Sequence, residues 1–157
     1  MKKLALLLIG LLLVGTTVLT AEDKKEDPLK DIKCVVSGKA INPEASVKYK
    51  EGKVYFCCPG CPGAFEKGKE KFAAKANHQL AATHQYHQVK CPLTGKPSKD
   101  SVKVSVHGVD VALCCQGCEK AAKAAAEDKD DKDKLVNLLF NDKSFEKGFE
   151  VAKEASK

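Results

Sequence analysis

Phe56-Cys57-Cys58-Pro59-Gly60-Cys61 returns fifty-seven residues later as Leu113-Cys114-Cys115-Gln116-Gly117-Cys118, and the same offset carries the solitary Cys34 onto Cys91. All eight cysteines therefore fall into two sets of four: Cys34, Cys57, Cys58, Cys61 and Cys91, Cys114, Cys115, Cys118. Besides the thiols, the copies share Lys33, Gly38, Lys39, Val47, Val54 and Gly60. Thiols and turn residues are kept while most apolar positions drift, which marks each copy as a small module organised by its sulfurs. Units this short, in a chain without Trp, need a metal, a disulfide or a neighbour to stay folded.

Outside the repeat, Met1-Lys2-Lys3 opens a basic start, Leu4 to Val14 is apolar with one Gly, and Ala21 precedes a charged stretch. This pattern predicts a signal peptide over residues 1–21, cut after Ala21. The apolar run falls short of the ~20 residues of a membrane span, so no stable span is expected after cleavage. The expected setting is exported, periplasmic or secreted, where disulfides are permitted. The formal charge is +6, and every basic residue is Lys. Without the bidentate fork of Arg, and with lysines interleaved among acids, a nucleic-acid partner is not expected.

Residues 22–32 are charged and contain Pro28, as a flexible leader would be. In the first module Cys34-Val35-Val36-Ser37-Gly38-Lys39 has the outline of a zinc knuckle with Ser37 at the second ligand position. The second copy, Cys91-Pro92-Leu93-Thr94-Gly95-Lys96, holds Thr94 there, so a hydroxyl replaces the thiol in both. A hairpin follows. Val47 and Tyr49 alternate with lysines, Glu51-Gly52 is read as the turn, and Lys53 to Phe56 returns. In the second copy Val102 to Val106 turns at His107-Gly108 and returns from Val109 to Leu113. Gly60 and Gly117 are expected to supply the backbone freedom that aims amides at the sulfurs. Helical spacing then places Phe65, Phe72 and Ala73 on one face, and Ala121, Ala122, Ala124, Ala125 and Ala126 form a strong helix after Cys118.

Knuckle, hairpin, ligand turn and helix, in that order, make a treble-clef plan. The fold class expected is small α+β, with two tandem treble-clef-like modules and a C-terminal helical tail. The modules span residues 33–76 and 90–126, joined by a linker over 77–89 and followed by a charged linker and tail over 127–157. His78, His84 and His87 fall in the linker; His84 and His87, at i and i+3, would share one side of a helical turn. Metal ligation by them is one reading, simple exposure the plainer one; His107 reads as a turn residue. In the tail, Leu135 to Phe140 is the longest apolar patch of the mature chain, and Phe145, Phe149 and Ala152 suggest a final amphipathic helix. The tail is expected to pack across both modules, with partner binding as the alternative.

Three chemistries suit the sulfurs. Cys34, Cys57 and Cys61, and Cys91, Cys114 and Cys118, suit about one soft ion per module, Zn(II) or Cu(I). Ser37 and Thr94 leave each set one thiol short of a closed structural zinc site. Cys58 and Cys115 are secondary candidates, with an outer, exchange or capture role. The alternative is a disulfide-stapled structural or interaction protein. The third reading makes Cys58-Pro59-Gly60-Cys61 and Cys115-Gln116-Gly117-Cys118 redox pairs, which lack the usual βαβ context.

Lys33 to about Phe72, and more weakly Lys90 to about Ala125, resemble the YHS and TRASH domains. The Cys-x22-Cys-x3-Cys spacing of each triad fits the TRASH pattern. Tyr55-Phe56-Cys57, Gly60-Cys61 and Phe65 resemble the YHS signature. The second copy departs from it, with Leu113 for the aromatic and Ala122 at the place of Phe65. The resemblance implies a treble-clef-like, non-enzymatic heavy-metal-binding protein in trafficking, resistance or sensing, with a metal donor or acceptor protein as partner.

Overall fold

A computed structural model describes residues 28–153. The expected signal peptide and residues 22–27 of the expected leader lie outside the described residues. The first module contains strands β1 (Asn42–Tyr49) and β2 (Gly52–Phe56), then helices α1 (Gly60–Lys67) and α2 (Lys69–Ala82). A short strand β3 (Tyr86–Gln88) leads to the second module, with β4 (Lys99–Val106), β5 (Val109–Leu113) and α3 (Gln116–Ala126). The tail holds α4 (Lys134–Phe140), α5 (Asp142–Gly148) and β6 (Phe149–Val151). The chain is a small α+β fold built on two similar cysteine-rich modules. Among the described residues no helix is long and apolar enough to cross a membrane.

The two hairpins repeat each other down to their irregularities. Val47 faces Val54 in one and Val104 faces Val111 in the other, both antiparallel. Each register shifts at the same place, between Asn42 and Ser46 and between Lys99 and Lys103. His107 and Gly108 form the second turn with φ of 45° and 89°. The first turn is Lys50-Glu51 rather than Glu51-Gly52, with Lys50 at φ 51°. Gly52 answers a different need. A Cβ there would lie 2.7 Å from Leu80 Cδ2 and from Gln85 Oε1, so its missing side chain is what lets β2 lie against α2.

Glutamine side chains cap the outward edges of both hairpins. The Gln79 amide accepts from Tyr55 N–H at 2.6 Å and donates to Tyr55 O at 3.0 Å. Gln85 does the same for Lys53, at 2.6 and 2.8 Å. In the second module Gln88 accepts from Ala112 N–H at 2.9 Å and donates to its carbonyl at 2.6 Å. Ala112 is the repeat counterpart of Tyr55. Each amide imitates one rung of a sheet ladder, satisfying edge groups that would otherwise remain open for pairing.

Residues 77–89, expected as a linker, are ordered structure. Residues 77–82 complete α2, Thr83 hydroxyl bonds Gln79 O at 2.8 Å, and His84 (φ 58°) turns the chain into β3. β3 pairs antiparallel with β6, so the C-terminal strand closes onto the stretch between the modules. The tail joins the modules as expected, with α4 packed against both α2 and α3. Ala122 and Ala125 are buried on α3, which packs against α4, whereas at the place of Ala122 module one has the larger buried Phe65. Phe65 packs edge-on to Tyr49 (ring centres 5.4 Å) and beside Phe56 (5.5 Å).

The final segment is shorter as a helix than its spacing suggests. α5 ends at Gly148, and Phe149 belongs to β6. Gly148 sits where a Cβ would be 2.8 Å from Pro92 Cα, and its carbonyl accepts from Val89 N–H at 2.8 Å and Lys90 N–H at 3.2 Å. The helix stops because its last residue is clamped to the start of the second knuckle. Tyr86, Phe140, Phe145 and Phe149 form one aromatic cluster, with Phe145 stacked on Phe149 at 4.9 Å. Burying each such ring contributes about 1.5–3 kcal/mol, which is the core the modules lack on their own. Asp142, at the start of α5, adds polar ties: Asn77 Nδ2 at 3.0 Å, Lys50 Nζ at 3.1 Å and Tyr49 Oη at 3.4 Å. Burial pushes the Asp142 carboxyl up, but these bonds outweigh it and hold the group below its usual range.

Candidate metal centre

Each centre is assembled from a knuckle, the end of a strand and the first turn of a helix. In the first knuckle Cys34 N–H donates to Lys39 O at 2.7 Å and Gly38 N–H to Cys34 O at 2.8 Å. In the second, Cys91 N–H donates to Lys96 O at 2.9 Å and Gly95 N–H to Cys91 O at 2.8 Å. Gly38 and Gly95 have φ of 71° and 72°, the left-handed conformation that a side chain disfavours. Gly60 and Gly117 lie at the starts of α1 and α3 without a positive φ, yet their backbones hydrogen-bond the Cys58 and Cys115 sulfurs, as expected of them.

Cys57 and Cys114 directly follow the ends of strands β2 and β5, and the helices that come next present Cys61 and Cys118 from their first turns. The Sγ atoms of Cys34, Cys57 and Cys61 all lie within 4.8 Å of one another, as do those of Cys91, Cys114 and Cys118. Cys57 and Cys61 sulfurs are 3.6 Å apart, and so are those of Cys114 and Cys118. Sulfurs sharing an ion at about 2.3 Å stand roughly 3.8 Å apart at the tetrahedral angle, so both triads fit a soft ion with only small adjustments. Five of the six residues are buried and Cys57 is half-buried. None of the eight cysteines is joined in a disulfide. No protein-family model, curated protein or solved structure matches the chain.

The hydroxyls at the fourth knuckle position rest on sulfur. Ser37 Oγ is 3.1 Å from Cys57 Sγ, and Thr94 Oγ1 is 3.2 Å from Cys114 Sγ. Each hydroxyl also accepts a backbone N–H, from Lys39 at 3.4 Å and Lys96 at 3.3 Å. A Ser or Thr here supports a neighbouring ligand.

The thiols divide by ease of ionisation. Burial pushes Cys34 up, but hydrogen bonds from the Ser37 hydroxyl and from the backbones of Ser37, Cys57 and Val36 outweigh it, bringing the thiol from 9.0 to about 7. Burial of Cys91 is outweighed in the same way by Thr94 and the backbones of Cys114, Thr94 and Leu93, again to about 7. The bond to Cys58, together with burial, pushes Cys61 up to about 12. Cys118 is raised by burial and by its bonds to Cys114 and Cys115. Each triad thus pairs one thiol that ionises readily with one whose ionisation is disfavoured.

Cys58 and Cys115 are exposed beside the triads. Cys58 Sγ is 3.5 Å from Cys61 Sγ, and Cys115 Sγ is 3.7 Å from both Cys114 and Cys118. Both thiols are held below their ordinary value, Cys58 chiefly by its bond to Cys61 and Cys115 chiefly by the Cys118 backbone.

The histidines go elsewhere. His78 is half-buried in α2, where its Nε2–H donates to Val106 O at 2.8 Å and its ring meets Phe140 edge-on at 5.0 Å. Burial holds it below its usual value, as a neutral brace between α2 and the second hairpin. His84 and His87 lie in a turn and in β3, so the shared helical side expected of them does not form. Among the described residues, the two cysteine triads are the groups of three or more His, Cys, Asp or Glu placed to hold an ion.

Proposed function

We propose that the chain is an exported, non-enzymatic heavy-metal-binding protein of the YHS/TRASH kind, which holds one soft ion, Cu(I) or Zn(II), in each module for trafficking, resistance or sensing. The observation that carries this reading is the duplicate triad: three sulfurs from separate parts of each module, gathered within 4.8 Å in both copies. Pairwise disulfide stapling gives no reason for three sulfurs to converge twice. Thiolate donors in threes favour soft ions and leave room for an incoming ligand, as metal hand-over requires. The tail welds the modules into one body, so the two sites are carried together.

Elemental analysis of the full chain, purified without oxygen, tests the reading. Copper or zinc bound with the thiols still titratable supports it. Metal-free protein whose cysteines are already paired, and which refolds equally well in chelator, would replace it with a disulfide scaffold.

A further inference from the structure

Cys58 and Cys115 are the cysteines the triads leave out, and they occupy the same register of the repeat. Both are exposed, yet each sulfur stands at the spacing of two ligands on one ion: 3.5 Å from Cys61, and 3.7 Å from Cys114 and from Cys118. The rim around them is open. A Cβ on Gly60 would meet nothing within 4 Å, and one on Gly117 only the Cys115 sulfur, at 3.8 Å. A sulfur therefore reaches from solvent to the edge of each buried triad, twice, with no other side chain covering it at these glycines.

We propose that Cys58 and Cys115 are the exchange ligands of the two metal sites, passing a soft ion between the buried triad and a partner that presents thiolate or thioether sulfur. This rests on the metal-binding reading and extends it. At rest the triad holds the ion. In transfer, Cys58 Sγ loses its proton to water and bonds the ion while one triad bond breaks, and the freed thiolate takes up a proton. The ion keeps its oxidation state throughout. Partner sulfur then replaces the remaining ligands one at a time from the open rim, so the ion is never released bare. A tethered thiol so close to the ion acts at a far higher local concentration than a free one.

The test uses the full chain loaded anaerobically with Cu(I), with bathocuproine disulfonate as the acceptor. Stopped-flow absorbance gives the transfer rate, and equilibrium competition with the same chelator gives the affinity. Cys58→Ser and Cys115→Ser, alone and together, are expected to leave affinity within about threefold while slowing transfer about tenfold or more. Cys58→Ala should behave as Cys58→Ser does. Transfer at the wild-type rate would overturn the proposal. So would an affinity loss as deep as that of Cys61→Ser, since Cys58 would then be a resident ligand. A wild-type chain that takes up neither Cu(I) nor Zn(II) would instead overturn the metal-binding reading, and the exchange role with it.

Discussion

Ser37 Oγ lies 3.1 Å from Cys57 Sγ and accepts the Lys39 N–H, so the hydroxyl stands between the knuckle backbone and a candidate metal ligand. Thr94 and Cys114 repeat the relationship at 3.2 Å. A hydrogen bond of this kind contributes about 1 kcal/mol. Ser37→Ala should weaken metal binding in module one about fivefold and raise the Cys34 thiol, while module two is unchanged. Competitive chelator titration of the full chain measures both sites; equal weakening in the two modules would contradict the local role.

Metal binding should strengthen with pH across the neutral range. A proton competes with the ion for each sulfur. Below about 7, Cys34 and Cys91 become protonated and binding falls steeply. Above that value these two are already thiolates, but Cys61, pushed up to about 12, still has to release its proton to the solvent. Affinity should therefore keep rising between pH 7 and 9, about tenfold per unit for each proton displaced. Proton release measured calorimetrically in buffers of different ionisation enthalpy checks the count, and a pH-independent affinity would be inconsistent with these thiols as ligands.

Gly52→Ala should destabilise the fold by about 1–3 kcal/mol, because the new methyl falls 2.7 Å from Leu80 and Gln85. Gly60→Ala, in open space, should stay within about 0.5 kcal/mol of wild type. Urea denaturation of both variants makes the comparison. A tolerant Gly52 would mean that β2 and α2 do not meet as described.

Gln79→Ala should cost about 1–3 kcal/mol by leaving the Tyr55 N–H and carbonyl without their partner. Hydrogen exchange at the Tyr55 amide reads the same bond directly, and should accelerate in this variant while the Ala112 amide, held by Gln88, does not.

The repeat, the treble-clef order and the two triads were legible in the chain because cysteine spacing is a hard geometric constraint and occurs twice. Other features needed three dimensions. Glu51-Gly52 looks like a hairpin turn, yet the repeat offset already aligned Lys50-Glu51 with His107-Gly108. Glycine there reflects the approach of α2, a contact no local pattern encodes. Gln79, Gln85 and Gln88 lie among histidines in a stretch that reads as polar linker, and their pairing with strand edges depends on where α2 and β3 come to lie. Phe149 continues a helical spacing, but Gly148 is pinned to Pro92 before the helix can reach it.

Native mass spectrometry of the full chain, titrated with Cu(I) or Zn(II) without oxygen, tests the central claim most directly. About one ion per module is expected to bind, two in all, with Cys61→Ser losing one of them and Cys118→Ser the other. A chain that binds no metal, or one whose Cys61→Ser variant keeps both ions, would contradict it.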